Sequence, residues 1–276
     1  MASNKTKKLN IITKKLSPRK AKKGVKKGAP RTKKVSPWIV LGAVAALLLA
    51  TTLPYFRGAG ERGAAVPHGA REFCLDLSHH NSAPARWDSL FVAVDQGGRT
   101  VRNLEAASEI YPVRRVVLKA TEGLSMVDKD FPERWEAAGK AGLCRGAYHF
   151  FRSSKDPAVQ AELFIRTVGP LRHSDLPPVL DIETLHSGCT GEVLSSRALL
   201  WLKAVERHYG RKPVVYAPES YLRDLLSKEI TGNYPVWIAH YEVDAPEREG
   251  WIMWQFTDRA VVAGLPGRAD LSAIGN

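Results

Sequence analysis

The segment PPVLDIET, residues 177–184, holds two carboxylates at a spacing that suits acid–base chemistry. Side chains alternate across a β-strand, so Asp181 and Glu183 should point to the same face at the end of an apolar strand. Mutual repulsion and partial burial should then raise the pKa of one of them, as a general acid near neutral pH requires. Two solvated acids, or a cation site, would have the same D-x-E spacing.

Further ionisable side chains stand at the ends of other apolar segments. Asp76 lies in FCLDLS, Lys119 and Glu122 lie in VVLKATEG, and Asp270 lies in GRADLS. In a closed parallel barrel the carboxyl ends of all strands meet at one mouth, where the active site lies. Acids that recur at those ends predict a single cleft, although Asp76 or Asp270 alone would more often be a turn or helix-cap residue.

Aromatic side chains occupy the same strand ends. Flat rings beside carboxylates suit a sugar-binding cleft, because the apolar faces of pyranose rings stack on aromatic surfaces. Core packing is the alternative explanation, above all for Trp237. The predicted substrate-binding residues are Lys119, Glu122, Tyr148, Tyr216, Trp237, Trp254 and Gln255.

Other reaction classes lack the motifs that they require. The sequence has no Gly-rich phosphate loop and no G-x-S-x-G nucleophile motif. His79, His80, His149 and His240 lack the usual spacings of metal ligands and are expected to form hydrogen bonds instead. We therefore predict neither a metal nor a cofactor.

From Phe73 onward, short apolar segments alternate with helical patterns. This alternation indicates parallel β-α-β units of an α/β fold. Helical patterns become rarer after PVVYA, so the last third should close the sheet without a regular helix layer. The predicted helices are DFPERWEAAGKAG, DPAVQAELFIRTVG and SSRALLWLKAVERHYG, each ending at a Gly, and the predicted strands are FCLDLS, VVLKAT, GAYHFF, PVLDIE, PVVYA, PVWIAHY and IMWQFT.

The positive charge of the chain is concentrated at its beginning. The chain of 276 residues has a net charge of +13, and residues 1–37 contain 14 Lys and Arg but no acid. The rest of the chain is therefore close to neutral. Residues 1–37 mix Lys with Gly, Pro and Ser and have no apolar period, so we predict a disordered basic tail on the cytoplasmic side.

Residues 38–56, WIVLGAVAALLLATTLPYF, are uncharged and have aromatic ends. This pattern predicts a single transmembrane signal anchor, with a cleaved signal peptide or a buried helix as alternatives. Because Lys-rich flanks stay in the cytoplasm, everything after the span should be exported to the periplasm or the exterior. Residues 57–72 are predicted to be a linker and residues 73–276 a barrel domain.

From about Phe73 to Ile274 the sequence resembles the family 25 glycoside hydrolases, the muramidases that cut peptidoglycan. The matching segments occur in the family's order and include LDLSHHN, LKATEG, LPPVLDIE, YPVWIAHY, WIMWQFTD and GLPGRADLS. The resemblance implies an incomplete TIM-like (β/α)5(β)3 barrel. Its helices should follow the first strands, and its last strands should be mainly antiparallel.

The resemblance also implies the roles of four catalytic acids. Glu183 should donate a proton to the glycosidic oxygen. Asp181 should orient the 2-acetamido group of the substrate or stabilise an oxocarbenium-like transition state, and Asp76 and Asp270 match the remaining two acids of the family's cleft. The nucleophile is either a carboxylate or the acetamido oxygen, and we favour the acetamido oxygen, with retention of configuration.

One segment departs from the family pattern. Between Asn81 and Val116 the chain contains an additional stretch, DQGGRTVRNLEAASEIYPVRR, ahead of the second predicted barrel strand. We expect it to form a lid or a partner surface that narrows the choice of substrate.

Three functions are compatible with this organisation. The leading hypothesis is an exported muramidase that cleaves the β-1,4 bond between N-acetylmuramic acid and N-acetylglucosamine. A barrel that binds peptidoglycan without cutting it, and so tethers a membrane complex to the wall, is the alternative. Nucleic-acid binding is disfavoured because the tail has no interleaved aromatic residues, and anionic lipid explains its charge better. The expected partners are therefore peptidoglycan strands and the membrane.

Overall fold

The structure is a computed structural model that describes residues 62–275. The α-helices of this part are α1 (Phe131–Lys140), α2 (Pro157–Val168), α3 (Gly191–Tyr209), α4 (Glu219–Asp224) and α5 (Lys228–Asn233). The strands are β1 (Arg62–Ala65), β2 (Phe73–Leu77), β3 (Phe91–Val94), β4 (Arg99–Val101), β5 (Glu109–Pro112), β6 (Arg115–Glu122), β7 (Met126–Val127), β8 (Cys144–Phe150), β9 (Val179–Asp181), β10 (Val214–Pro218), β11 (Val236–Ala239), β12 (Met253–Ala260) and β13 (Ala269–Ile274).

Eight strands of the described part close into a barrel, in the order β2-β6-β8-β9-β10-β11-β12-β13. Seven of them are parallel, whereas β13 runs antiparallel to both of its neighbours, β12 and β2. The expected α/β barrel is therefore present. The expectation of mainly antiparallel strands at the end is wrong, because β11 and β12 pair in parallel and only β13 reverses.

The three predicted long helices are present, and each ends within two residues of its predicted glycine, but α3 begins at Gly191, four residues before the predicted start at Ser195. Asp156 accepts hydrogen bonds from the backbone of Ala158 and Val159 at the start of α2, and Thr190 accepts one from Val193 at the start of α3. The C-cap of α3 is Gly210, in the left-handed conformation that glycine adopts without strain. These helices follow β6, β8 and β9 and cover the outside of the barrel.

The chain between β2 and β6 contributes β3, β4 and β5 to a small sheet and forms no α-helix. This sheet is antiparallel, with the order β1-β4-β3-β5. β3 and β4 are joined by a turn in which the Asp95 side chain accepts hydrogen bonds from the backbone of Gly97 and Arg99. In the described part α-helices thus follow four barrel strands, β6, β8, β9 and β10, rather than the five implied by a (β/α)5(β)3 pattern.

Strand β1 lies inside residues 57–72, the predicted linker. It pairs with β4, and Gly63 approaches Thr100 and Val261 so closely that a Cβ atom there would collide with both. Glycine is therefore required for this contact. Residues 62–65 belong to the folded domain rather than to a free linker.

Side-chain alternation gives the barrel two different layers. The outward positions pack against helices and the small sheet in the main apolar core. The inward positions form a smaller apolar cluster, Cys74, Val117, Val179, Val214, Tyr216, Trp237 and Met253, which lies below the carboxyl ends of the strands. The four inward acids lie above this cluster, at the mouth, whereas the polar Ser272 lies deeper in the barrel beside Trp237.

The predicted tail, residues 1–37, and the predicted membrane anchor, residues 38–56, lie outside the described residues. Between residues 62 and 275, none of the helices combines the length and the apolar character needed to cross a membrane.

Candidate active site

The D-x-E pair lies where strand β9 leaves the barrel. Asp181 is the last residue of β9, and Ile182 is buried in the outer core, with its backbone N–H donating to the Tyr216 carbonyl at 2.8 Å. Asp181 and Glu183 consequently face the same cavity. The predicted common face of the two carboxylates is confirmed.

This cavity, which we call the carboxylate cavity, has a volume of about 210 Å³ at the mouth of the barrel. Eight of the eleven predicted site residues line it. The lining consists of Asp76, Tyr148, Val179, Asp181, Glu183, Tyr216, Trp237, Tyr241, Gln255 and Asp270. The strand ends do bring the four predicted acids together.

Asp76 and Asp270 form a carboxyl pair on neighbouring strands. They are register partners on β2 and β13, and their side chains hydrogen-bond to each other. Burial raises the pKa of Asp76 well above its ordinary value, and the charge of Asp270 adds to this effect. Burial likewise raises the pKa of Asp270 to about 6, although its hydrogen bond with Asp76 lowers it. The pair can therefore retain a proton at a pH where solvated aspartates are ionised.

A chain of hydrogen bonds fixes this pair from the β12 side. Gln255 donates from Nε2 to Asp76 Oδ2 at 3.0 Å, and its Oε1 accepts from the Tyr216 hydroxyl at 2.8 Å. The Tyr241 hydroxyl also donates to Gln255 Oε1. Because both tyrosines donate to the amide oxygen, the Gln255 NH₂ group must face the carboxyl pair.

Asp181 has an unusual environment for a carboxylate. It is 6% exposed, and its Oδ1 atom is buried with no hydrogen-bond partner among the residues that the structure describes. Burial raises the pKa of Asp181 well above its ordinary value, and the charge of Glu183 raises it further. A buried acceptor without a donor is costly, so Asp181 is poised to accept a hydrogen bond from a molecule in the cavity.

Glu183 stands at the open side of the carboxylate cavity. Its side chain reaches solvent, yet the surrounding protein still partly desolvates the carboxyl group and raises its pKa. The positive charges of Lys119 and Arg152 oppose this rise. Glu183 is thus both accessible and biased toward the protonated form, as proton donation requires.

Lys119 and Glu122 are predicted to bind substrate, but the structure places them beside the carboxylate cavity rather than on its lining. Lys119 Nζ contacts Glu122 Oε2 at 2.6 Å, and Arg152 Nε donates to Glu122 Oε1 at 3.0 Å. Burial would raise the pKa of Glu122, but the hydrogen bonds from the two cations outweigh this effect and lower it. Glu122 thus fixes the two cations, and the positive charges of Lys119 and Arg152 lower the pKa of Glu183.

Trp254 is also predicted as a substrate-binding residue, but the structure does not bring it to the carboxylate cavity. Gln255 points into the barrel, so alternation along β12 directs Trp254 outward, where it is 3% exposed. Its ring packs edge-on against Trp251 and Phe256, and its Nε1 donates to the His240 carbonyl at 2.7 Å. Trp254 is a core residue of the layer outside the barrel.

Trp237 lies inside the barrel, beneath the polar residues of the mouth. It is 2% exposed, donates from Nε1 to Ser272 Oγ at 2.9 Å, and meets the Tyr216 ring edge-on at 4.8 Å between ring centroids. Its ring forms part of the wall of the carboxylate cavity. Trp237 therefore packs inside the barrel and also borders the carboxylate cavity, and its role in substrate binding stays a prediction.

The site residues predicted from the sequence do not include three residues that the structure brings to the mouth of the barrel. Tyr241 follows β11, and its aromatic side chain at a strand end is the signal that could have selected it. Arg152 comes two residues after the end of β8, and a cation at that position is a weaker signal. Val179 is the inward residue two positions before Asp181, so alternation alone would have found it.

His79, His149 and His240 form side-chain hydrogen bonds, as expected, whereas the backbone N–H of His80 donates to Ser78 Oγ. His79 Nδ1 contacts Asp128 Oδ2 at 2.8 Å, and the buried His149 lies between Thr121 and Gln160. Burial lowers the pKa of His149 to about 4, so it stays neutral near pH 7. Within residues 62–275 no group of three or more His, Cys, Asp or Glu side chains is arranged to hold a metal ion.

Comparison with known protein families gives one assignment over most of the barrel. The family model described as glycosyl hydrolases family 25 matches residues 75–265. Uncharacterized protein YegX of Escherichia coli K12 is 38% identical over 157 residues, which are 56% of this chain and 57% of that protein. Lysozyme M1 of Streptomyces globisporus is 31% identical over 167 residues, 55% of this chain and 57% of that protein. The chain thus spans about half the length of the curated relatives it matches.

Solved structures agree with this assignment. The bacterial lysozyme from Streptomyces coelicolor superposes with a TM-score of 0.60 at 25% identity, over 75% of this chain and 94% of that one. A family 25 glycosyl hydrolase from Bacillus anthracis has a TM-score of 0.60 at 26% identity, over 79% and 94% of the two chains. The sequence and fold comparisons therefore point to the same family.

Proposed function

Because the chain belongs to glycosyl hydrolases family 25, we propose that it hydrolyses the β-1,4 bond between N-acetylmuramic acid and N-acetylglucosamine in peptidoglycan. The observation that carries this proposal is the convergence of Asp76, Asp181, Glu183 and Asp270 in one cavity at the barrel mouth. Relatives named lysozyme support the choice of substrate.

Glu183 is the general acid of the proposed reaction. Its carboxyl group donates a proton to the glycosidic oxygen while the bond from that oxygen to the muramic acid C1 breaks. Two properties support this role: the side chain is accessible at the mouth, and its pKa is raised by desolvation. After the sugar leaves, the Glu183 carboxylate can take a proton from the water that attacks C1.

Asp181 positions the group that attacks C1 in this proposal. Its unpartnered Oδ1 accepts a hydrogen bond from the N–H of the substrate's 2-acetamido group, which aims the acetamido oxygen at C1. That oxygen bonds to C1 as the leaving sugar departs, and the resulting cyclic cation carries a positive charge that a carboxylate stabilises. Water then opens the ring from the opposite side, so the configuration at C1 is retained.

The carboxyl pair holds the sugar in place. Asp76, Asp270 and Gln255 present oxygen and nitrogen atoms to the cavity, and sugar hydroxyls can both donate to and accept from such groups. Tyr148 and Tyr216 supply ring surface in the same cavity. A shared proton on Asp76 and Asp270 avoids placing two full negative charges beside each other.

The test is the identity of the product. Full-length protein incubated with purified peptidoglycan should release fragments whose new reducing end is N-acetylmuramic acid, with the β configuration at the moment of cleavage. New reducing ends on N-acetylglucosamine would contradict the proposed bond specificity. Retention of the protein on peptidoglycan without any release would favour the non-catalytic tether instead.

The proposed location follows from the charge and hydropathy of residues 1–56. We place residues 1–37 in the cytoplasm, residues 38–56 in the cytoplasmic membrane, and the barrel outside it, where peptidoglycan lies. Protease added outside the cytoplasmic membrane should remove the barrel from membrane-bound protein. Recovery of a soluble form that begins after residue 53 would show secretion after signal cleavage.

A further inference from the structure

A second cavity of about 770 Å³ lies outside the barrel, between the small sheet and the segment after β11. We call it the outer cleft. One wall is formed by residues 63–68 and Arg99, and the other by Tyr241, Glu242, Val243 and Asp244. Tyr241 lines both the outer cleft and the carboxylate cavity, so the two cavities adjoin at this residue.

The outer cleft presents charges of both signs. Its cations are Arg99, Arg259 and Arg268, its acids are Glu242, Asp244 and Asp258, and all six residues are exposed. Arg259 Nη2 contacts Glu242 Oε1 at 2.5 Å, and Arg259 Nε contacts Asp258 Oδ1 at 3.3 Å, so a bound carboxylate would compete with these two exposed acids for Arg259. A ligand that carries both carboxylates and an amine would find a partner for each.

Among the Trp, Tyr and Phe side chains that line the outer cleft, Tyr241, which is 37% exposed, offers ring surface for sugar stacking. Trp254 and Phe256 belong to its lining, but they are 3% and 6% exposed and present almost no ring surface. A carbohydrate subsite normally relies on exposed ring faces, whereas a charged peptide needs ion pairs and backbone contacts. With six exposed charged side chains beside the one exposed tyrosine ring, the lining favours a charged peptide over a further stretch of glycan.

The charge of Asp258 in the outer cleft also affects groups that line the carboxylate cavity. Burial is the main cause of the raised pKa of Asp270, and the charge of Asp258, in the outer cleft, adds to it. Burial raises the pKa of Tyr241 as well, again with a contribution from Asp258. A charged group bound in the outer cleft would thus lie within electrostatic reach of the carboxyl pair.

We propose that the outer cleft binds the peptide substituent of the muramic acid whose glycosidic bond is held in the carboxylate cavity. This inference rests on the proposed function. Peptidoglycan peptides are attached to the lactyl group of muramic acid and extend away from the glycan strand. They carry free carboxylates and, in many walls, a free amine. The carboxylates pair with the arginines of the cleft, and the amine pairs with Glu242 or Asp244. The small sheet, through β1 and Arg99, thereby helps select peptide-bearing glycan.

The experiment compares two substrates from one preparation: peptidoglycan strands with their peptides, and the same strands after an amidase has removed them. Full-length wild-type protein should show a higher kcat/KM on the peptide-bearing strands. In Arg259→Ala this preference should fall about fivefold, through KM rather than kcat, which is the size expected for one exposed ion pair. Arg166→Ala, which removes an exposed arginine paired with Glu162 on α2, is the matched control and should keep the preference.

The outcomes separate the two proposals. Equal rates of wild-type protein on both substrates, or an unchanged preference in Arg259→Ala and in the Arg99→Ala/Arg259→Ala double variant, would overturn peptide binding and leave the muramidase proposal standing. Hydrolysis of neither substrate would overturn both. A preference that weakens in Arg259→Ala and persists in Arg166→Ala would support the outer cleft as the peptide site.

Discussion

Glu183 is subject to two opposing electrostatic effects. Desolvation by the surrounding protein raises its pKa, and the positive charges of Lys119 and Arg152 lower it. Glu122 holds both cations by hydrogen bonds, so the position of the opposing charge is set by an ion network and not by one flexible side chain. The pH range of the proposed reaction therefore depends on residues that need not touch the substrate.

We predict that Arg152→Gln moves the alkaline limb of the pH profile of kcat/KM to higher pH. The general acid must be protonated in the free enzyme, and loss of a nearby positive charge makes Glu183 hold its proton more tightly. The measurement is the pH–rate profile on peptidoglycan fragments, with Arg166→Gln on α2 as the control. A limb that stays in place or moves to lower pH would exclude this role for Arg152.

The buried carboxyl pair should also affect stability. In the folded protein the pKa of Asp270 is raised to about 6, so the folded state binds this proton more tightly than the unfolded state does. The free energy of unfolding should therefore fall as pH rises between about 4 and about 6. Asp270→Asn cannot ionise and should stabilise the protein by about 1 to 3 kcal/mol at pH 7 but not at pH 4.

Urea denaturation of both proteins at the two pH values checks this prediction. The same Asp270→Asn variant should be impaired in hydrolysis, because we propose that the carboxyl pair holds the sugar. An equal effect on stability at pH 4 and pH 7 would mean that ionisation of Asp270 does not oppose folding.

The strand ends decide which side chains reach the mouth. Alternation on β9 directs Asp181 and Glu183 inward and Ile182 outward, and this much was predictable because the D-x-E spacing allows one common face. On β12 the sequence WIMWQFT is apolar at positions of both faces, so it does not indicate whether Trp254 or Gln255 points inward. That choice depends on the register of β12 with β11 and β13.

The small sheet and the ion network were not predictable for a related reason. The segments that form β3 and β4 are short, and their pairing with β1 and β5 joins distant parts of the chain. Likewise, Arg152 reaches Glu122 only because β6 and β8 are neighbours in the barrel. Local patterns identify elements, whereas contacts between elements require the folded structure.

Because Trp254 is buried in the layer outside the barrel, its side chain should contribute to stability. Trp254→Ala should lower the free energy of unfolding by about 3 to 5 kcal/mol, because it leaves a void in the packed layer outside β12. It also removes the donor to the His240 carbonyl. Chemical denaturation gives the value. If the free energy of unfolding fell by less than about 1 kcal/mol while the KM for glycan rose, Trp254 would be a substrate-binding residue and not a core residue.

In the described part of the molecule, a family 25 barrel carries an additional sheet on one flank and a cleft beside its mouth. The basic residues 1–37 and the uncharged residues 38–56 precede this domain in the chain, and residues 1–37 carry the excess positive charge. We propose that the glycosidic bond is cleaved in the carboxylate cavity and that peptide binding in the outer cleft helps to select the substrate. The central claim is that Glu183 supplies the proton for glycan cleavage.

The most direct test measures new reducing ends from purified peptidoglycan with full-length wild-type protein, Glu183→Gln and Glu162→Gln. Glutamine keeps the shape of Glu183 but cannot donate a carboxylic proton, so its rate should fall by about 10² to 10⁴ fold while glycan binding persists. Glu162 is an exposed acid on α2, and its variant should match the wild type. Wild-type turnover by Glu183→Gln would contradict the account.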